Sequence, residues 1–186
     1  MGAGVGLHLL LAPGSSSGAP ALPTLHGQAV WPAGSRRAPG FMLPDQNGRL
    51  VSLNAQRGRN VVVAFMDPLC KHVCPIEGRE IGLAESQLSP AQRPTVLIVS
   101  VDPLATPADA IEAAHKWGIT GNWHWLLGAQ NQLAPIWHAY GITVVRRLAD
   151  LHSTALYVID RKGYERAGFL APFLPQFLAD DLRTLA

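Results

Sequence analysis

The 186-residue chain has only two cysteines, Cys70 and Cys74, and few charged residues. Two cysteines cannot form the disulfide framework of a small secreted domain, but they can form one redox pair or provide two metal ligands. Charged residues make up 15% of the chain and give a net charge of +2. No basic stripe is visible, so nothing supports nucleic-acid binding. Apolar residues make up 48%, which is enough for a hydrophobic core and argues against global disorder.

The sequence also has no apolar run long enough to span a membrane. The apolar run near the N-terminus, VGLHLLLAP, is shorter than the roughly 20 residues that a membrane helix needs. It resembles the core of a secretion signal, although no Lys or Arg precedes it. A stretch rich in Gly, Pro and Ser follows, as is typical of linkers. We therefore expect residues 1–38 to be a leader or anchor remnant with a linker, and residues 39–186 to form one domain.

From residue 41 onward, strand patterns and helix patterns alternate. The apolar runs NVVVAFM and TVLIVSVD predict strands that are buried on both faces. A helix is expected to follow each run, the first from Pro75 and the second between Thr106 and Gly118. STALYVID and YERAGFL predict a C-terminal hairpin, and an amphipathic helix closes the chain. This order predicts an α/β, thioredoxin-like fold, in which helices flank a central mixed sheet and an N-terminal β-hairpin turns at Asn47–Gly48.

Both cysteines lie between a predicted strand and a predicted helix, in the segment DPLCKHVCP. A residue before proline is disfavoured in the helical conformation, so Cys74 is expected at, or just outside, the helix N-terminus. Cys70 is expected at the carboxyl end of the strand, where open α/β sheets have their ligand sites. The partial positive charge of a helix N-terminus favours a thiolate there. The apolar residues predicted to face the core from this helix are Ile76, Ile81, Leu83, Ala84 and Leu88.

Thiolates at such a junction can carry out thiol–disulfide exchange or bind a soft metal. Thioredoxin-type reductases usually have two residues between their cysteines, whereas three separate Cys70 from Cys74. Two sulfurs that each bind one ion at about 2.3 Å lie farther apart than the roughly 2.05 Å of a disulfide. A loop with one additional residue can reach both geometries, so both uses stay open. A third, less favoured interpretation is that both cysteines are buried and have no chemical role.

An imidazole would complete a copper site, and the chain has seven histidines. Two thiolates with one imidazole suit Cu(I) and, with a further light ligand, can hold Cu(II), whereas zinc requires a fourth ligand or a water. His115, His124 and His138 lie in tryptophan-rich segments and are expected to be packing or surface residues. His152 lies in the loop before a central strand. In a thioredoxin-like fold, this loop approaches the dithiol. Position alone leaves open whether His152 is a ligand or a capping or surface residue.

Several segments occur in the order found in the Sco/SenC proteins, and the chain resembles this family from Pro39 to Leu170. They are APGFMLPDQNGRLVSL, FMDPLCKHVCP, WHWLLG with IWHAYGI, and HSTALYVIDRKG. The resemblance implies a thioredoxin-fold metallochaperone that binds copper, as Cu(I), Cu(II) or both, and assists assembly of the dinuclear copper site of cytochrome c oxidase. It places the copper ligands on Cys70, Cys74 and His152.

The resemblance also implies partners, a location and an alternative activity. The partners are the copper-bearing subunit of cytochrome c oxidase and, as a second candidate, another copper donor protein. The location is the extracytoplasmic face of the bacterial plasma membrane, with association through an N-terminal anchor that is missing or incomplete here. The resemblance favours a copper carrier over an enzyme. The alternative is a thiol–disulfide oxidoreductase, with Cys70 and Cys74 as the catalytic dithiol that keeps the oxidase cysteines reduced. A peroxiredoxin-like peroxidase is disfavoured, because AFMDPL before Cys70 contains no threonine.

Overall fold

The computed structural model describes residues 24–144 and 154–186. The strands are β1 (Ala29–Val30), β2 (Met42–Pro44), β3 (Leu50–Ser52), β4 (Val61–Met66), β5 (Thr95–Ser100), β6 (Asn122–Leu126), β7 (Leu156–Ile159) and β8 (Glu165–Phe169). The α-helices are α1 (Val73–Ser86), α2 (Pro107–Trp117), α3 (Gln130–Ala139) and α4 (Pro175–Thr184), and a short 3-10 helix covers Leu53–Gln56.

A six-stranded mixed sheet forms the centre of the fold, in the order β1-β8-β7-β4-β5-β6. Strands β4, β5 and β6 are parallel, as expected for strands that are joined through helices. Strands β7 and β8 are antiparallel to their neighbours. A separate hairpin of β2 and β3 turns at Gly48, whose φ of 74° favours glycine. The predicted α/β fold with a central mixed sheet and a hairpin extension is confirmed.

Helices cover the sheet on both faces. On one face, α1, α2 and α4 pack on Val62, Ala64 and Met66 of β4. On the other face, α3 and the β2–β3 hairpin pack on a second core cluster that includes Val63 and Phe65. Successive side chains of a strand point to opposite faces, so a central strand covered on both sides is apolar at every position. This burial accounts for the continuous apolar run in the sequence of β4.

Helix α1 begins at Val73, which is earlier than the sequence predicts. Cys74 therefore lies in the first helical turn and not outside the helix. Pro75 is tolerated there because the backbone N–H groups of the first turn have no partner within the helix, so the missing N–H of proline costs little. The preference of a residue before proline for extended backbone is overridden at Cys74.

The buried face of α1 also differs from the predicted one. Ile81, Ala84 and Leu88 are buried as expected, but Ile76 and Leu83 are 46% and 49% exposed. The helix is rotated so that its buried positions are Cys74, Glu77, Gly78, Ile81, Ala84 and Glu85. The apolar pattern alone placed Ile76 and Leu83 wrongly because two glutamates occupy core positions, where a sequence pattern predicts only apolar residues.

Residues 24–38 contact the domain, although the sequence assigns them to the linker. Strand β1 pairs with β8 at the edge of the main sheet. The backbone N–H of His26 donates a hydrogen bond of 2.7 Å to Oδ1 of Asp181, and Nδ1 of the same ring lies 2.9 Å from that oxygen. The His26 ring stacks on Phe177 with a centroid distance of 4.8 Å. The domain boundary at residue 39 stays a prediction.

Candidate metal centre

The two cysteines lie on the connection from β4 to α1, at the carboxyl end of the parallel strands. The buried Asp67 shapes this connection. Its Oδ1 accepts a hydrogen bond of 2.8 Å from the N–H of Leu69, and its carbonyl oxygen accepts one of 3.2 Å from the N–H of Cys70. These two bonds close a tight turn directly after β4. The turn brings Cys70 next to the first turn of α1, where Cys74 lies.

Cys70 lies close enough to Cys74 to raise the pKa of its thiol, and the two cysteines are not joined by a disulfide. Cys70 is 4% exposed and Cys74 is fully buried. The backbone of Asp67 also acts on the Cys74 thiol and lowers its pKa. Two neighbouring sulfurs of this kind can converge on one metal ion or form a disulfide.

Burial raises the pKa of the Cys74 thiol well above its ordinary value, because the charged form loses its water. Negative charge on Cys70 and Glu77 raises the pKa further, while the hydrogen bond from Asp67 acts in the opposite direction. The expectation that the helix N-terminus favours a thiolate is therefore wrong for Cys74, since burial is the larger effect. Cys74 is a neutral thiol near pH 7, and a metal ion must displace its proton to bind.

Glu77 is a buried acid beside the dithiol that sequence reasoning missed. Its side chain is fully buried, and neither carboxyl oxygen has a hydrogen-bond partner within the described residues. Burial and the nearby charge of Glu80 raise the pKa of Glu77 to about 8, so the side chain is mostly protonated at neutral pH. Its spacing from Cys74 and Ile81, at three and four residues, is the signal that would have placed it on the buried face of α1.

Within residues 24–144 and 154–186, no group of three or more His, Cys, Asp or Glu side chains could hold a metal ion. The predicted third ligand, His152, lies outside the described residues, so its place beside the cysteines stays a prediction. His124 has its Nδ1 3.0 Å from Oδ2 of the buried Asp45. His115 and His138 are exposed. One of these three histidines is thus engaged with a carboxylate, and the other two lie at the surface, in line with the packing or surface roles that the sequence suggested.

A comparison with known protein families matches the SCO1/SenC family to residues 32–186. The chain belongs to the SCO1/SenC family. This confirms the resemblance seen in the sequence segments, and the match begins before the residue at which the domain was expected to start. No curated protein is similar enough to the chain to match.

Solved structures of other SCO1/SenC proteins have the same fold. Copper-bound ScoI from Bradyrhizobium japonicum is 25% identical, with a TM-score of 0.69 over 81% of this chain and 99% of that one. A SCO1/SenC lipoprotein from Bacillus anthracis is 20% identical, with a TM-score of 0.69 over 81% and 95%. BsSco, a Sco-family cytochrome c oxidase assembly protein with a disulfide switch, is 18% identical, with a TM-score of 0.70 over 85% and 98%.

Proposed function

We propose that this SCO1/SenC protein is a metallochaperone that binds copper through Cys70, Cys74 and His152. It delivers the ion during assembly of the dinuclear copper site of cytochrome c oxidase. The observation that carries the proposal is the pair of neighbouring free cysteines at the edge of the sheet. Thiolates are soft ligands that suit Cu(I), and an added imidazole allows the site to hold Cu(II) as well. The copper-bound ScoI structure supports the same chemistry.

The register of the sheet supports His152 as the third ligand. Strand β7 is antiparallel to β4, and Leu156 pairs with Ala64. The chain therefore enters β7 at the same sheet edge at which it leaves β4 toward Cys70. Three residues separate His152 from Leu156, and the four backbone steps between them can span up to about 13 Å. This reach exceeds the roughly 5 Å between neighbouring strands.

The chemistry of Cys74 suits a protein that must release its metal. Copper binds the thiolate, so the ion competes with a proton that this buried sulfur holds tightly. Once a partner ligand begins to replace Cys74, reprotonation of the sulfur favours completion of the transfer. A carboxylic acid at Glu77 keeps a second negative charge away from the site at neutral pH.

A second function, reduction of the copper-ligand cysteines of the oxidase, is favoured by the same pair of sulfurs. Two electrons would pass from Cys70 and Cys74 to a partner disulfide. The Cys70–Cys74 disulfide would form, the partner S–S bond would break, and two protons would go to the partner thiols. The disulfide switch identified in BsSco supports this role. It accompanies copper delivery, because copper requires the reduced pair.

We infer that the protein acts on the extracytoplasmic face of the bacterial plasma membrane. The copper-bearing subunit of the oxidase is its partner, and another copper donor protein is a second one. The relative from Bacillus anthracis is a lipoprotein, which supports a membrane-tethered form. In the described parts of the chain, no helix has both the length and the apolar character needed to cross a bilayer.

Copper titration of the reduced protein tests the ligand set. Affinities for Cu(I) and Cu(II) are measured by competition with a chromophoric chelator for the parent, Cys70→Ser, Cys74→Ser and His152→Ala. His115→Ala is the matched control, because this histidine is exposed on α2. Removing a ligand is expected to cost more than the roughly 10- to 100-fold typical of residues that only support ligands. If His152→Ala binds Cu(II) as tightly as the parent and with the same spectrum, the ligand assignment is wrong.

The reduction potential of the Cys70–Cys74 pair separates the two functions. It is measured by equilibration with glutathione buffers, together with the rate of exchange with a protein disulfide. A potential below about −300 mV is typical of structural disulfides. Such a value with slow protein–disulfide exchange would leave copper delivery as the function, whereas fast exchange would support the reductant role.

A further inference from the structure

A groove of about 380 Å³ opens beside Cys70, between the loop after β4, the start of α1 and the exposed face of α2. Its wall includes Leu69 and Lys71 from the loop, Arg79 from α1 and Lys116 from α2. Binding sites for small ligands typically measure about 300–1,000 Å³. The groove therefore has room for a short stretch of peptide but not for a folded domain.

Three cations line this groove without a partner. Lys71, Arg79 and Lys116 are exposed, and within the described residues none of them makes an ion pair or a side-chain hydrogen bond. One of the two carboxylates in the groove, Asp109, is already engaged, because its Oδ2 accepts hydrogen bonds of 2.9 and 2.6 Å from the N–H and hydroxyl of Thr106. Glu112 is the other carboxylate. The groove therefore has three cations and two carboxylates, a net charge of +1, next to the sulfur of Cys70.

We propose that this groove binds an acidic, cysteine-containing peptide segment of the partner protein. The inference rests on the proposed function, since both copper transfer and disulfide exchange require a partner sulfur to reach Cys70. Because Cys70 lines the groove, the residues that flank this sulfur must lie against the groove wall. Carboxylates in those residues would pair with Lys71, Arg79 and Lys116, and the half-exposed Leu69 offers an apolar contact at the rim.

In thiol–disulfide exchange, the groove would hold the partner sulfur next to the sulfur of Cys70. The Cys70 thiolate attacks one sulfur of the partner disulfide, a mixed disulfide forms, and one partner thiolate leaves. The Cys74 sulfur then attacks Cys70 after losing its proton, and the second partner thiolate leaves. Two protons end on the partner thiols, and the Cys70–Cys74 disulfide is the oxidised product.

Exchange with charged peptides tests the groove. Two cyclic disulfide peptides are prepared that differ only in the residues flanking the cysteines, which are Asp and Glu in one and Lys and Arg in the other. Second-order rate constants are measured with the reduced parent, Lys116→Glu and Arg59→Glu. Arg59 is the matched control, because it is exposed and precedes β4 at the opposite edge of the sheet. Both substitutions change the net charge equally.

The parent is expected to react with the acidic peptide at least about tenfold faster than with the basic one. Lys116→Glu is expected to lower this ratio at least about fivefold, whereas Arg59→Glu changes it less than about twofold. The same ratio in the parent and Lys116→Glu would overturn the proposal. A failure of both peptides to react would also overturn it, because the groove would then give no access to Cys70.

Copper titration of the parent separates this inference from the proposed function. If the parent prefers the acidic peptide but binds no copper, the groove proposal is supported and the proposed copper delivery is rejected. If the parent binds copper but reacts equally fast with both peptides, copper delivery stays supported and the groove proposal is rejected.

Discussion

Cys74 and Glu77 lie one helical turn apart on α1, and both side chains are fully buried. Loss of water raises the pKa of both groups, so both are mainly neutral near pH 7. The partial positive charge of a helix N-terminus favours the thiolate, yet the pKa of Cys74 is raised and burial is the largest cause. The sequence identifies Cys74 as a candidate ligand from its spacing to Cys70. Its protonation state depends on burial by residues distant in sequence, so a local pattern could not predict it.

Replacing Glu77 by glutamine is expected to flatten the pH dependence of stability. The pKa of Glu77 is about 8 in the folded protein and 4.5 ordinarily, so the folded state binds more protons between these values. The free energy of unfolding of the parent therefore falls as pH rises from about 5 to 8, by an amount on the order of 3 kcal/mol from this group.

Urea denaturation at several pH values measures this effect. Glu77→Gln cannot ionise and should lose much less stability over the same range. The exposed Glu112→Gln is the control and should follow the parent. Parallel stability curves for Glu77→Gln and the parent would contradict the assignment of a raised pKa to this group.

Copper affinity is expected to rise with pH because binding displaces the proton of Cys74. Each proton released strengthens the apparent affinity up to about tenfold per pH unit. Competition titrations with Cu(I) between about pH 6 and 8 measure the slope. Cys74→Ser should show a smaller slope than the parent. An affinity of the parent that does not change with pH would show that Cys74 is not a proton-releasing ligand.

At the scale of elements, α2 could be predicted closely and α1 only in part. The sequence placed the cap of α2 at Thr106, and its hydroxyl accepts a hydrogen bond of 3.2 Å from the N–H of Asp109. It also placed the end at Gly118, which has a φ of 78°. Both the cap and the end of α2 depend on residues that are close together in sequence, so a short segment is enough to predict them. The buried face of α1, with its glutamates, is set by packing against other elements, which no short segment of sequence encodes.

Gly82→Ala is expected to destabilise the packing of α1 on α2. A Cβ atom at Gly82 would lie 2.3 Å from the carbonyl oxygen of Gly118, so the two helices would have to move apart. The cost is expected to be about 1–3 kcal/mol, despite the roughly 0.5–1 kcal/mol that alanine adds to an isolated helix. Chemical denaturation measures the change. Leu83→Ala, half exposed on the same helix, is the control, and a Gly82→Ala protein as stable as the parent would contradict the close contact.

At the scale of the whole molecule, the sequence predicted the layer order and the parallel centre, because both follow from alternating strands and helices. It did not predict that residues 24–38 contact the domain. Their pairing is long-range, with β1 against β8 and His26 against Asp181. The Gly- and Pro-rich composition of the segment is typical of a linker, so it did not indicate these contacts. The position of His152 stays a prediction, because this residue lies outside the described parts of the chain.

A chain that begins at residue 39 is expected to be less stable than one that begins at residue 24. Deletion of residues 24–38 removes β1 and leaves the buried Asp181 without its hydrogen bonds to His26 and Gly27. Loss of hydrogen bonds to a buried charged group costs about 1.5–3 kcal/mol. Thermal and urea denaturation of the two chains measure the difference. Equal stability would support the domain boundary at residue 39.

Copper-edge X-ray absorption of the loaded protein gives the most direct test of the proposed three-ligand copper site. The parent and His115→Ala should each show two sulfur ligands and one imidazole nitrogen on copper. His152→Ala should lose the imidazole contribution and keep the two sulfurs. Identical spectra for His152→Ala and the parent would contradict the proposed site and leave Cys70 and Cys74 as a dithiol without this histidine.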